Sequence, residues 1–288
     1  MTNVYKERLM NAARKGDTSA QQQLFKIESG EPITTAYHNW RSLKLNQTSA
    51  ATGTVIQGDC LEVMKSIPSN SVTLILCDLP YGTTKNKWDT VIPLKEMWEE
   101  YNRILKADGN IVLTAAQPFT SLLITSNLQM FRYELIWKKS IGSGQLNINS
   151  RPLRVHESIL IFTKGKSVYN QQMSRGVPYK INRKANYGEG CYNSQVDTVK
   201  ENEGFRHPTT VLEFPNPRIK NGHPTQKPVD LFKYLINTYS NEGDMVLDNC
   251  AGSGTTAIAA IQTGRRYTVI ELDSNYIEMI NERIALEV

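Results

Sequence analysis

At 288 residues, 40% of them hydrophobic, the chain suits one large domain or one domain with an insertion. No run approaches the roughly 18 apolar residues of a membrane span, and the charged opening MTNVYKERLMNAARKGD lacks an apolar leader, so a cytoplasmic protein without membrane contact is expected. A formal charge of +5 is compatible with a polyanionic partner without demanding one.

Residues 1–50 read as a helical extension of one or two helices and a polar connection. An alternation then begins. TVIQGD (54–59) has strand character, CLEVMKSI helical, and SVTLILCD (71–78) that of a buried strand. In PLKEMWEEYNRILKADG the apolar residues Leu94, Met97, Trp98, Tyr101, Ile104 and Leu105 recur at helical spacing, with Gly109 where a C-terminal cap belongs. NIVLTAA (strand), PFTSLLITSN (helix), YELIWKK (strand) and HESILIFTKG (156–165, strand) follow, closing a half that spans 51–165.

Residues 166–222 lose the alternation and are rich in Asn, Gln, Tyr, Gly and basic side chains. It resumes over 223–288 with helix PVDLFKYLINTYS, strand DMVLDNC, helix GTTAIAAIQTG, strand RYTVIEL and helix SNYIEMINERIALE. Strands alternating with helices predict an α/β fold with a mostly parallel, Rossmann-like sheet, interrupted by the insertion at 166–222. The four cysteines, Cys60, Cys77, Cys191 and Cys250, form no CxxC pair, so buried thiols are expected and no metal site.

MVLDNCAGSGTTAIAA is strand, acid, glycine-rich turn and helix. Gly252 and Gly254 let backbone approach a ligand, and Glu271 ends the next strand about twenty residues on, where a ribose-binding acid belongs. This pattern predicts a nucleoside-containing ligand. A dinucleotide needs room for a pyrophosphate, which Asp248 at the loop entrance would repel. The same carboxylate favours a cationic ligand such as S-adenosylmethionine. A nicotinamide-dependent oxidoreductase is the alternative from another class.

ILCDLPYGTT (75–84) then becomes intelligible. An exocyclic base amine is a poor nucleophile, because its lone pair is delocalised into the ring. Asp78 and a backbone carbonyl of the Leu79–Pro80 turn can accept its hydrogen bonds and stabilise the charge that develops on methyl transfer. Tyr81 offers a flat face for the base, which must be flipped out of a duplex to reach it.

These residues resemble the permuted (beta-group) amino-group DNA methyltransferases, adenine-N6 and cytosine-N4, across about residues 54 to 286. DLPY is similar to their D-P-P-Y catalytic motif, with leucine second. LDNCAGSGTT resembles the cofactor loop D-P-F-A-G-S-G-T-T, with Asn249 and Cys250 in place of Pro-Phe, and HPTQKP (223–228) resembles the segment before it. The resemblance implies a catalytic pocket at Asp78, Leu79, Pro80 and Tyr81. It implies a cofactor pocket of Asp59, Asp248, Ala251, Gly252, Ser253, Gly254, Thr255 and Glu271, completed by Thr225, Lys227 and Pro228. It places a target-recognition region at 166–222, where Arg175, Lys180, Arg183, Lys184, Asn186 and Gln195, interleaved with Tyr179, Tyr187 and Tyr192, are types that contact phosphates and base edges. Aspartate at the head of the motif favours adenine. Double-stranded DNA is the implied partner, with a restriction endonuclease of the same system and a homodimer as further expectations.

Overall fold

The computed structural model describes residues 2–14, 18–30, 32, 35–36, 53–82, 89–183, 198–217 and 226–287. In chain order they form helices α1 (Thr2–Arg14) and α2 (Thr18–Glu28), strand β1 (Gly53–Gln57), helix α3 (Cys60–Met64), strand β2 (Val72–Asp78) and helix α4 (Leu94–Ile104). Strand β3 (Leu105–Ala115), helix α5 (Phe119–Ser126), and strands β4 (Phe131–Ser143) and β5 (Arg154–Thr163) follow. The polar segment carries β6 (Ser174–Arg175), β7 (Tyr179–Arg183), β8 (Thr198–Asn202), β9 (Phe205–Arg206) and β10 (Val211–Glu213). The chain closes with α6 (Val229–Tyr239), β11 (Met245–Asp248), α7 (Thr255–Gln262), β12 (Arg266–Glu271) and α8 (Ser274–Glu287).

Eight strands make one sheet in the order β1-β12-β11-β2-β3-β5-β4-β10. It is parallel from β1 to β3 and again between β4 and β10, and β5 runs against both its neighbours. The sequence dictates burial on both faces. Along β2, Leu74 and Leu76 point into one core with Leu235, Ala257 and Ile280, while Ile75 and Cys77 point into the other with Met97, Trp98 and Phe119. Helices α6, α7 and α8 thus cover one face, and α3, α4 and α5 the other.

Helix α4 stops five residues short of the expected cap. Leu105 already pairs with Val72, the register slips before Leu74 meets Asn110, and Gly109 lies in that irregular stretch. A Cβ at Gly109 would sit 2.9 Å from the Thr73 carbonyl, so the glycine serves close strand approach. In the 166–222 segment, β6 pairs with β9 and β7 with β8 as two small ladders. β10 instead joins the main sheet beside β4, where Trp137 donates to the Phe214 carbonyl at 2.8 Å.

Candidate active site

Two strand ends meet at one cavity of about 420 Å³. Asp78, Leu79 and Pro80 from the end of β2 form part of its wall, and Asp248 to Ser253, after β11, form another part. Asp59, Lys227, Thr255 and Glu271 of the expected set also line it, joined by Leu272 and Tyr276, whereas Tyr81, Gly254 and Pro228 lie behind the lining rather than in it. This is the carboxyl edge of the parallel strands, where open α/β sheets bind ligands.

Asp78 is held from three directions. Its Oδ1 accepts from the Tyr81 hydroxyl at 2.7 Å and from Thr114 Oγ1, and its Oδ2 faces Lys227 Nζ at 2.5 Å. Burial and the Asp78 carboxylate push the Tyr81 phenol well above its ordinary value, so it stays a donor. Its ring stacks on Phe119 at 5.5 Å between centroids, which fixes its plane. Lys227 is buried, and Glu157 Oε2 lies 3.3 Å from its ammonium, with Lys139 paired to the other Glu157 oxygen. Burial alone would lower the Lys227 pKa; Asp78 and Glu157 more than offset this and hold it raised. Asp78, Lys227, Glu157 and Lys139 therefore form an alternating, mutually neutralising charge chain.

The glycine loop is fastened from behind. Asp248 is 3% exposed; its Oδ1 accepts from Cys250 N–H at 3.0 Å and its Oδ2 from the Thr256 hydroxyl at 2.5 Å. Burial raises its pKa to about 6. Glu271 accepts from Gly252 N–H at 2.7 Å through Oε2, and from Leu272 and Asp273 N–H at 2.8 and 3.0 Å through Oε1. That leaves acceptor capacity on Oε2 for a ligand hydroxyl. Asp59 caps α3, taking the Leu61 N–H at 2.9 Å. Asn249, which replaces proline in the loop, is buried and accepts from Tyr101 at 2.5 Å.

Residues 72–282 match the profile of a family described as DNA methylase, of the N6/N4 methyltransferase type. The chain belongs to this family. It is 32% identical over 242 residues to the DNA adenine methyltransferase YhdJ of Escherichia coli (strain K12), covering 78% of this chain and 80% of that one. It is 30% identical over 251 residues to the type II methyltransferase M.HpaI of Haemophilus parainfluenzae, covering 81% and 74% respectively. Its fold is shared with M1.HpyAVI in complex with SAM (TM-score 0.55, 22% identity, 80% and 99% covered). It is also shared with the cytosine-N4-specific PvuII DNA methyltransferase (TM-score 0.59, 17% identity, 81% and 86% covered).

As a DNA amino-methyltransferase, the chain uses S-adenosylmethionine, and the cavity fits that group. Gly252 turns at φ +50°, and nothing lies within 4 Å of where its Cβ would be, so the loop leaves an open cradle. Gly254 differs. It caps α7 at φ +78°, and its Cβ would meet Ile280 Cγ1 at 2.9 Å, so this glycine serves packing rather than ligand approach. Pro228 is buried at the start of α6, and Thr225 lies outside the described residues.

Cys60 and Cys250 line the cavity, and Cys77 is buried beneath it. Burial pushes the Cys77 thiol up to about 12, and a hydrogen bond with Cys250 raises Cys60 further, so these groups are thiols rather than nucleophiles. Among the residues expected to contact DNA, exposed Arg175 lies over the Phe205 ring at 4.0 Å and Lys180 pairs with Glu201 at 2.7 Å. Arg183 ends β7. Lys184, Asn186, Gln195, Tyr187 and Tyr192 lie outside the described residues, while Tyr179 packs against Arg206.

The sequence reading missed Thr114, Glu157, Lys139 and Arg283. Thr114 is a polar residue ending the strand beside β2, and Glu157 is an acid at the start of an apolar one; both were visible as anomalies. Arg283, which donates to the Ser253 hydroxyl at 3.0 Å, sits on a helix without any local signal.

Proposed function

We propose that this DNA methyltransferase is specific for adenine N6 and acts on duplex DNA from which the target base is flipped. The observation carrying the reading is that Asp78 and the glycine loop share one cavity, which brings a target amine and a methyl donor together. Aspartate rather than serine at the head of the motif, and the likeness to an adenine methyltransferase, favour adenine over cytosine.

Tyr81, Thr114 and Lys227 hold the Asp78 carboxylate in one orientation and leave acceptor capacity on Oδ2. The target amine donates one hydrogen to that oxygen and the other to a backbone carbonyl of the Leu79–Pro80 turn. Both contacts favour a pyramidal nitrogen with its lone pair aimed away from the ring. S-adenosylmethionine supplies an electrophilic methyl group on a sulfonium. As the N–C bond formed, the C–S bond would break and the donor would leave as the neutral thioether. Asp78, already fixed in place, stabilises the positive charge growing on the nitrogen without reorganising, and the surplus N–H proton is then lost to water. Asp59 and Glu271 hold the adenosine end, and Asp248, Ala251, Ser253 and Thr255 shape the loop around the methionine end. Residues 166–222 carry target recognition.

The test is incubation with unmethylated DNA and methyl-labelled S-adenosylmethionine, followed by digestion to nucleosides. Label in N6-methyladenine supports the reading, and label in N4-methylcytosine would overturn its base assignment.

A further inference from the structure

The β4–β5 hairpin overhangs the catalytic edge of the sheet. Asp78 pairs in register with Thr114 on β3, Thr114 with Ile159 on β5, and Ile159 with Leu135 on β4. From Leu135, β4 continues to Ser143, and β5 returns from Arg154. Ser143 pairs with Arg154, five residues along β5 from that row, with extra residues of β4 bulging between Lys138 and Ser143, so the paired hairpin extends roughly 17 Å beyond the row that holds Asp78. Its base is tied to the catalytic group: Lys139 of β4 and Glu157 of β5 are the far members of the charge chain that holds Lys227 and Asp78.

The tip has an unusual composition for solvent. Gly144 turns at φ 99°, a single 3₁₀ turn (Gln145–Asn147) follows, and Leu146 stands at 101% relative exposure. Ile141, Ile148 and Leu153 are exposed around it. One exposed leucine needs no explanation. A cluster of them needs one when it crowns a hairpin with no acid between residues 140 and 156 and with Arg151, Arg154 and His156 among its residues. The absence of acids and the exposed Arg151 match a polyanion. The apolar tip matches an apolar site that a duplex offers, the space between base steps, where protein side chains act as wedges.

We propose that this hairpin is a DNA wedge, in which Leu146 enters the base stack where the target nucleotide leaves it and Arg151 meets the flanking phosphates. The proposal rests on the reading above that the target is flipped out of a duplex. Its consequence is specific. A wedge lowers the cost of unpairing and unstacking, a cost that is least for a base with no partner. Leu146 therefore matters for a paired target and not for one that is already unpaired.

The experiment compares wild type with Leu146→Ser in single-turnover methylation of two duplexes, one fully paired and one with the target adenine opposite an abasic site. Leu146→Ser is expected to be about tenfold or more slower on the paired duplex, and within about twofold of wild type on the abasic duplex. Equal rates for the two proteins on the paired duplex overturn the wedge. So does an equal loss on both duplexes, which would mean general DNA affinity. A change in oligomeric state by light scattering, accompanied by that loss, also overturns it, since the tip would then join copies of the chain. Inactivity of wild type on both duplexes is a different result: it overturns the function reading itself, and the wedge with it.

Discussion

Gly252 and Gly254 look alike in the sequence and are expected to fail differently when each becomes alanine. Both have positive φ, +50° and +78°, so either substitution places an L residue in the left-handed region at roughly 1–2 kcal/mol. For a chain of this size that lowers Tm by roughly 2–8 °C. The added methyl at Gly252 meets no protein atom within 4 Å and protrudes into the cavity. Gly252→Ala should therefore weaken S-adenosylmethionine about tenfold or more, by excluding ligand from the cradle. At Gly254 the methyl strikes Ile280 Cγ1 at 2.9 Å. Overpacking adds roughly 1–3 kcal/mol, so Gly254→Ala should melt lower than Gly252→Ala and, below its Tm, keep much of its donor affinity. The assay pairs thermal unfolding with titration calorimetry of the donor. If Gly252→Ala binds the donor within twofold of wild type, the cavity beside this loop is not the cofactor site.

Tyr81→Phe removes the hydroxyl that donates to Asp78 at 2.7 Å and keeps the ring stacked on Phe119, so the methylation rate should fall by roughly threefold to tenfold. A loss as large as that of Tyr81→Ala would show that the hydroxyl, not the ring, matters most. Lys227→Met leaves Asp78 without its cation and Glu157 with Lys139 alone, and should destabilise the fold by roughly 3–5 kcal/mol. Adding Glu157→Gln should restore part of that stability, and strictly additive losses would refute the charge chain. Asp248, with its pKa raised to about 6, is ionised above that pH and neutral below it. Attraction for the cationic donor should thus weaken as pH falls through about 6, and a pH-independent affinity in Asp248→Asn is the expected control.

Elements with a strong local pattern were legible in the sequence. The apolar run of β2, the proline opening α5 and the glycine turn after β11 each carry their cause within a few residues, and each lies where the pattern predicts. The end of α4 did not, because pairing of Leu105 with Val72 overrides the helical spacing that continues through Leu105. Motif reading found Asp78 and Tyr81 but not what orients them. Thr114 lies 36 residues away and Lys227 lies 149 away, and only the closed sheet brings them to one carboxylate. The two loop glycines show the same limit: spacing gives both a ligand role, whereas packing against Ile280 decides the role of one.

The central claim is that Asp78 is the acceptor for the target amine. Single-turnover methylation of duplex DNA by Asp78→Ala, with donor affinity measured on the same protein, tests it most directly. The account predicts a rate roughly a hundred to a thousand times slower, with donor binding retained. A rate near that of wild type would contradict it.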